Sequence, residues 1–390
     1  MTLSGLAFGW RTAVLAVAAG QLLLLAVALA RASRNRAANR YLAALLLVLC
    51  GVLTPWMIGF AGAYDRWRWL TFAPFSITLA VAPLLWLYIR ALTEGRAPAR
   101  AWPHLLPAGL QFLALALSFL LPEPQKDAWA RVAYDPFLNV CSIGAAVGLA
   151  AYGAAGLRRL YAYRRALADQ RSDDARFAAA WLSRAVMAML ALLPVWAVYA
   201  AWDAVAPLGY FRLMGLYLVI AAFALYLGVE GWRHAALSFP VLAAPDRAPA
   251  EAAGRDWRAQ GEAWAAMVRA QGWAREPELA LAGLARRLGT NTGYLSRALN
   301  EGLGLNFSAF VNGLRSEIVA EALEAGAERD LLALAFEAGF ASKASFNRAF
   351  QARFGVSPSA WRRAVSHREN PQPTRETEAR PAKAPATPAA

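Results

Sequence analysis

The chain has 390 residues, 58% of them hydrophobic, and a mean hydropathy of +0.34, which argues against an ordinary water-soluble globule and for membrane spans. Its formal net charge is +14, yet the excess is concentrated in residues 1–234, with 21 basic against 10 acidic residues. Two cysteines inside apolar runs and three scattered histidines argue against a disulfide framework and a metal site.

Seven apolar runs precede residue 235: Thr12–Ala30, Tyr41–Tyr64, Leu70–Ile89, Leu105–Leu121, Phe137–Leu157, Ala185–Trp202 and Leu213–Val229. Each approaches the length that crosses a hydrocarbon core of roughly 30 Å as a helix. In lipid the backbone must satisfy its own hydrogen bonds, so helices are the expected form. The loops alternate in charge. Arg31, Arg34, Arg36 and Arg40 lie in the first, Arg90, Arg96 and Arg100 in the third, and Arg158, Arg159, Arg164, Arg165, Arg171, Arg176 and Arg184 in the fifth. The loops between them hold Arg66 and Arg68, Lys126 and Arg131, and Arg212, which makes 14 against 5. Basic loops stay cytoplasmic, so the expectation is a multi-pass protein of a cytoplasmic membrane, N-terminus outside and C-terminal part inside. A cleaved signal peptide ending at Ala28-Leu29-Ala30 would conflict with that charge pattern.

Residues 235–255 are Ala-rich and interrupted by Pro240, Pro245 and Pro249, the composition of a linker. Trp257 to Gln271 reads as a helix. Beyond it one pattern occurs twice. A short apolar helix pattern closes on a glycine, first Leu281 to Leu288 with Gly289, then Leu331 to Ala338 with Gly339. A second helix follows, with Leu295 and Leu299 or Phe346 and Phe350 one turn apart on a single face. Helix, glycine turn, helix is the natural parse in both places. Between them, Phe310, Val311, Leu314, Ile318 and Leu323 have helical spacing. Ser357-Pro358 opens a last helix bearing Trp361. The tail after Arg363 lacks apolar content and is expected to be disordered.

The residues Leu284-Ala285-Arg286-Arg287-Leu288-Gly289, Tyr294-Leu295-Ser296-Arg297, Asn306-Phe307, Ala335 to Phe340, Phe346-Asn347-Arg348-Ala349-Phe350, Gly355-Val356-Ser357-Pro358 and Trp361-Arg362 keep one order. In that order they resemble the DNA-binding domain of AraC/XylS-type transcription regulators. The resemblance covers about a fifth of the chain and implies a bacterial regulator whose linking helix holds two reading units apart. It also implies double-stranded promoter DNA as the partner. The second helix of each unit would lie in a major groove. In the first unit it should begin near Asn291 or Thr292 and leave Thr292, Ser296, Arg297 and Asn300 outward. In the second, capped by Ser342, it leaves Lys343, Asn347 and Arg348 outward, with Gln351 beyond them. Arg pairs with guanine and Asn with adenine, while Ser and Thr serve bases or phosphate. Arg286 and Arg287 are expected on phosphate or on a solvated face. Residues 256–363 hold 13 basic against 11 acidic residues, so the DNA reading rests on pattern and not on net charge.

The expected architecture is all-α. A seven-helix transmembrane domain spans 1–234 and a linker 235–255; a double helix-turn-helix domain spans 256–365 and a tail 366–390. The expected function is that of a membrane-anchored transcription regulator whose transmembrane part either senses a signal or only holds the regulator at the membrane. A receptor or transporter whose cytoplasmic domain no longer binds DNA specifically is the alternative. No Walker-type glycine loop, HExxH or nucleophile elbow is present, so no enzyme activity and no cofactor are expected. The expected partners are double-stranded promoter DNA and the lipid bilayer, with a homodimer as a further option; the sequence does not name a sensed ligand.

Overall fold

The computed structural model describes residues 2–3, 6–206, 210–242 and 254–369. Apart from a two-residue hairpin pairing Thr2–Leu3 with Leu6–Ala7, the regular structure is helical. The chain divides into two compact units, Met1–Ala168 with Asp174–Pro245, and Asp169–Asp173 with Asp246–Ala390.

The first unit contains α1 (Trp10–Arg31), α2 (Arg36–Phe60), α3 (Val81–Glu94), α4 (Trp102–Phe119), α5 (Asp135–Gln170), α6 (Ala180–Val205) and α7 (Met214–His234). Six helical stretches in it are long and apolar enough to cross a membrane: Trp10–Arg31, Arg36–Phe60, Trp102–Phe119, Glu123–Gln170, Asp174–Trp202 and Phe211–His234. They are apolar outside as well as inside. On α1 Leu22, Ala26 and Leu29 are buried, while Leu23, Leu24 and Val27 face outward. A helix apolar on all sides needs an apolar surrounding, which is compatible with a bilayer.

The seven expected spans are not matched, because the run Leu70–Ile89 does not form one helix. Its helix is α3, displaced to Val81–Glu94 and 14 residues long, about 21 Å at roughly 1.5 Å per residue. Two features keep the preceding residues irregular. Phe72 turns through the left-handed region at φ 67°, and Pro74 cannot supply a helical N–H. This stretch runs close over α2 at Gly51, where a Cβ would overlap the Phe75 carbonyl oxygen. The buried Gln111 holds it, accepting from the Leu79 N–H at 3.0 Å and donating to the Thr78 hydroxyl at 3.2 Å. Ten of the fourteen α3 residues are buried, so its apolar character reflects packing among neighbouring helices.

Of the expected linker, residues 235–242 belong to the first unit and 243–253 lie outside the described residues. Phe239 is buried edge-on against Phe177, and Asn35 donates to the Leu237 carbonyl at 2.6 Å. Of the expected tail, residues 366–369 continue the last helix and 370–390 lie outside the described residues.

The second unit contains α8 (Trp257–Ala270), α9 (Leu281–Arg287), α10 (Thr292–Arg297), α11 (Phe307–Glu324), α12 (Leu331–Glu337), α13 (Lys343–Phe354) and α14 (Pro358–Glu369). It has two cores. Leu284, Leu295, Leu299, Phe307, Phe310 and Val311 form one, and Val319, Leu323, Leu334, Phe340, Phe346 and Phe350 form the other. Helix α11 contributes to both, its first half to one and its second half to the other.

Candidate nucleic-acid interface

Each helix pair is set by local chemistry. In the first, Gly289 ends α9 at φ 65°, and Asn291 caps α10 by accepting from the Tyr294 N–H at 2.8 Å. In the second, Asp330 caps α12, Gly339 turns at φ 98°, and Ser342 caps α13 by accepting from the Ser345 N–H at 3.2 Å. Each cap typically stabilises a helix end by about 1 kcal/mol. Leu295, Leu299, Phe346 and Phe350 are all buried, so the opposite faces of α10 and α13 carry the polar residues.

Those polar faces differ. In the first helix-turn-helix pair Arg297 is half-buried, pairs through two bonds with Glu301 (3.0 and 3.1 Å), and lies 4.7 Å from the Trp257 ring centroid. Asn300 donates to the Ser296 hydroxyl at 3.1 Å. Thr292 stands at the first position of α10 and is half-buried. Arg287 also pairs through two bonds, to Glu276 at 2.7 and 2.9 Å, and this pairing holds its guanidinium above the usual arginine range. In the second helix-turn-helix pair Lys343, Asn347, Arg348 and Gln351 are exposed along α13. Among the described residues, Lys343, Asn347 and Arg348 show no ion pair and no side-chain hydrogen bond. The spacing from 343 to 347 to 348 places these three on one face, toward the helix start.

Ion pairs tie the two halves. Glu317 on α11 accepts from Arg269 of α8 at 2.6 Å and from Arg353 of α13 at 2.6 Å. Arg315, two residues earlier, is 1% exposed and donates to the carbonyls of Ala274 and Glu276 and to the Asn312 side chain. Arginine is seldom so buried, and every bond of this kind offsets a large desolvation cost. Sequence reasoning missed both residues. A signal for Arg315 existed: it stands four residues after Val311 and four before Val319, on the buried stripe of α11. The Glu317 pairs join distant segments and left no local signal.

This geometry places two capped helix-turn-helix pairs on one linking helix.

Residues 284–364 match the family described as Helix-turn-helix domain.

The match agrees with the AraC-type resemblance in kind and in extent, and it supports a DNA-binding domain in the C-terminal part of the chain. It suggests a DNA-binding transcription regulator. It takes in α10 through α13 and so every residue singled out from the sequence as a DNA contact, without assigning any of them a role. No curated protein and no solved structure matches the chain.

Proposed function

We propose that the chain is a membrane-anchored, sequence-specific transcription regulator. The first unit holds it in a bacterial cytoplasmic membrane and receives a signal there, and the second unit reads promoter DNA from the cytoplasmic face. The exposed set Lys343, Asn347 and Arg348 on a capped second helix carries this reading. In a helix-turn-helix that position meets base edges, and these are the side chains that pair with guanine, adenine and phosphate. The first helix-turn-helix pair would act as the second reader, with Thr292, Ser296 and Asn300 as contacts and Arg297 engaged once DNA competes with Glu301.

The topology that suits this function counts α3 as a crossing. Seven crossings put 14 loop arginines and lysines inside against 5 outside. A six-crossing path that keeps the second unit inside exports Arg31, Arg34, Arg36 and Arg40, leaving 12 against 7. The short α3 would cross by local thinning of the bilayer and by the irregular residues before it, which its neighbours cover.

Two measurements on the full chain test the reading. A tag at the N-terminus should be reached by an impermeant reagent in intact spheroplasts, and a tag after Arg363 should not; the reverse would overturn the topology. Reconstituted protein should protect a discrete stretch of its own gene's upstream DNA. Absence of any preferred site would favour a receptor or transporter that no longer reads DNA.

A further inference from the structure

The end of α5 and the start of the loop after it form a short segment that packs apart from its flanks. Residues Asp169–Asp173 belong to the second unit, although the chain on both sides belongs to the first. Arg171 pairs with Ala280 as an isolated antiparallel bridge. The Ser172 N–H donates to the Leu279 carbonyl at 3.2 Å, and its hydroxyl donates to the same carbonyl at 2.9 Å. The Ser172 carbonyl accepts from Asn312 at 2.9 Å, and its hydroxyl oxygen accepts from Arg315 at 3.1 Å. Every hydrogen-bonding group of Ser172 is therefore satisfied by the DNA-binding fold. Ser172 and Asp173 are 2% and 4% exposed, which loop residues seldom are.

The residue this segment completes is Arg315. Burial pushes the Arg315 guanidinium down to about 10, and the nearby Asp173 carboxylate opposes that shift. Asp173 is itself held by Arg171 at 2.6 and 3.0 Å. Three parts of the double reader meet at Arg315. The 274–276 carbonyls of the first half accept from it, α11 carries it, and the Phe340 ring of the second half lies 5.9 Å from its guanidinium carbon. The approach there is close: a Cβ at Gly339 would stand 2.6 Å from the Arg275 carbonyl oxygen. Removing an acceptor and a carboxylate from a buried arginine leaves an uncompensated charge at the joint between the two readers.

We propose that Asp169–Asp173 is a strap that fixes the two helix-turn-helix pairs in their reading disposition, and that its withdrawal by the helices it joins lowers DNA affinity. The DNA half of this proposal rests on the regulator reading; the docking half does not. The strap gives the membrane part a direct covalent route to the joint. Both ends of the segment run into helices expected to cross the bilayer, so a displacement of either one pulls on Ser172.

The test uses the full chain in lipid nanodiscs. Bridge partners lie within about 4.5–5.5 Å at Cα, inside the range a disulfide spans. Arg171→Cys with Ala280→Cys should therefore cross-link on mild oxidation, while the control Arg165→Cys with Ala280→Cys should not. In the otherwise native chain, Asp173→Asn and Ser172→Gly should each weaken binding to the gene's upstream DNA by about tenfold, within the usual range of coupling between sites. Failure of the bridge pair to cross-link faster than the control overturns the strap. Cross-linking with wild-type-like affinity in both variants reduces the strap to a tether and overturns its control of DNA. If the wild-type chain shows no specific DNA binding, the regulator reading fails and the coupling with it, while the cross-link still decides docking.

Discussion

The two helix-turn-helix pairs have the same plan but differ in which polar groups are free. Arg297 and Arg348 occupy corresponding places, two residues after the first buried anchor of their helices. Four residues on, the first helix carries Glu301 and the second carries Ala352. An acid at that spacing captures an arginine on the same face, and the structure shows Arg297 captured while Arg348 stands exposed. Trp257 of α8 adds a second hold on Arg297, and α13 has no such neighbour over Arg348 among the described residues. A repeat in sequence is thus not a repeat in electrostatics. The second pair presents its charge outward, and the first uses much of its charge to hold itself together.

That contrast can be broken or sharpened by substitution. The largest effect is expected in the core of the second pair, where Phe350 packs on Phe346, Phe354 and Trp361. Phe350→Ala should destabilise it by about 3–5 kcal/mol, visible in denaturant unfolding followed by tryptophan fluorescence, and should abolish the freely presented reader. The turns come next. Gly289→Ala meets no neighbour within 4 Å and should cost about 1–2 kcal/mol for its left-handed backbone. Gly339→Ala carries a similar backbone cost and also drives a Cβ against the Arg275 carbonyl oxygen, so it should lower the melting temperature distinctly further. Arg348→Ala should cost about 1–3 kcal/mol of specific DNA binding and little stability. The smallest change should come from Arg297→Ala, below about 1 kcal/mol in binding, because the side chain is already paired in the free protein. Glu301→Ala sharpens this point. It should free Arg297 and leave DNA affinity unchanged or raised, in a titration at fixed salt.

Much of this was legible in the sequence, for identifiable reasons. Apolar spacing announced α10, α11 and α13, because one buried face at helical period has no other simple explanation. Gly289, Gly339, Asn291 and Ser342 marked the helix ends because left-handed turns and caps accept few residue types. The run Leu70–Ile89 misled on where its helix lies. Hydropathy registers apolar residues and not their backbone, and Phe72 and Pro74 keep the first part of the run out of a helix, so that α3 begins only at Val81. Periodicity places 292, 296, 297 and 300 outward. Outwardness follows from periodicity, whereas freedom depends on neighbours, and Trp257 comes from a helix that periodicity cannot place against α10. The strap was not legible at all: Ser172 sits in a basic loop with no pattern, and its partners lie more than a hundred residues away.

The central claim is that the second helix-turn-helix pair leads DNA recognition. The most direct test titrates the reconstituted full chain with its gene's upstream DNA and with scrambled DNA, at two salt concentrations, beside Arg348→Ala and Arg297→Ala. The account predicts preference for the upstream DNA at both salts, a loss of about fivefold or more in Arg348→Ala, and a loss below about fivefold in Arg297→Ala. Equal binding to both DNAs that vanishes with salt, or an Arg297→Ala loss larger than that of Arg348→Ala, would contradict it.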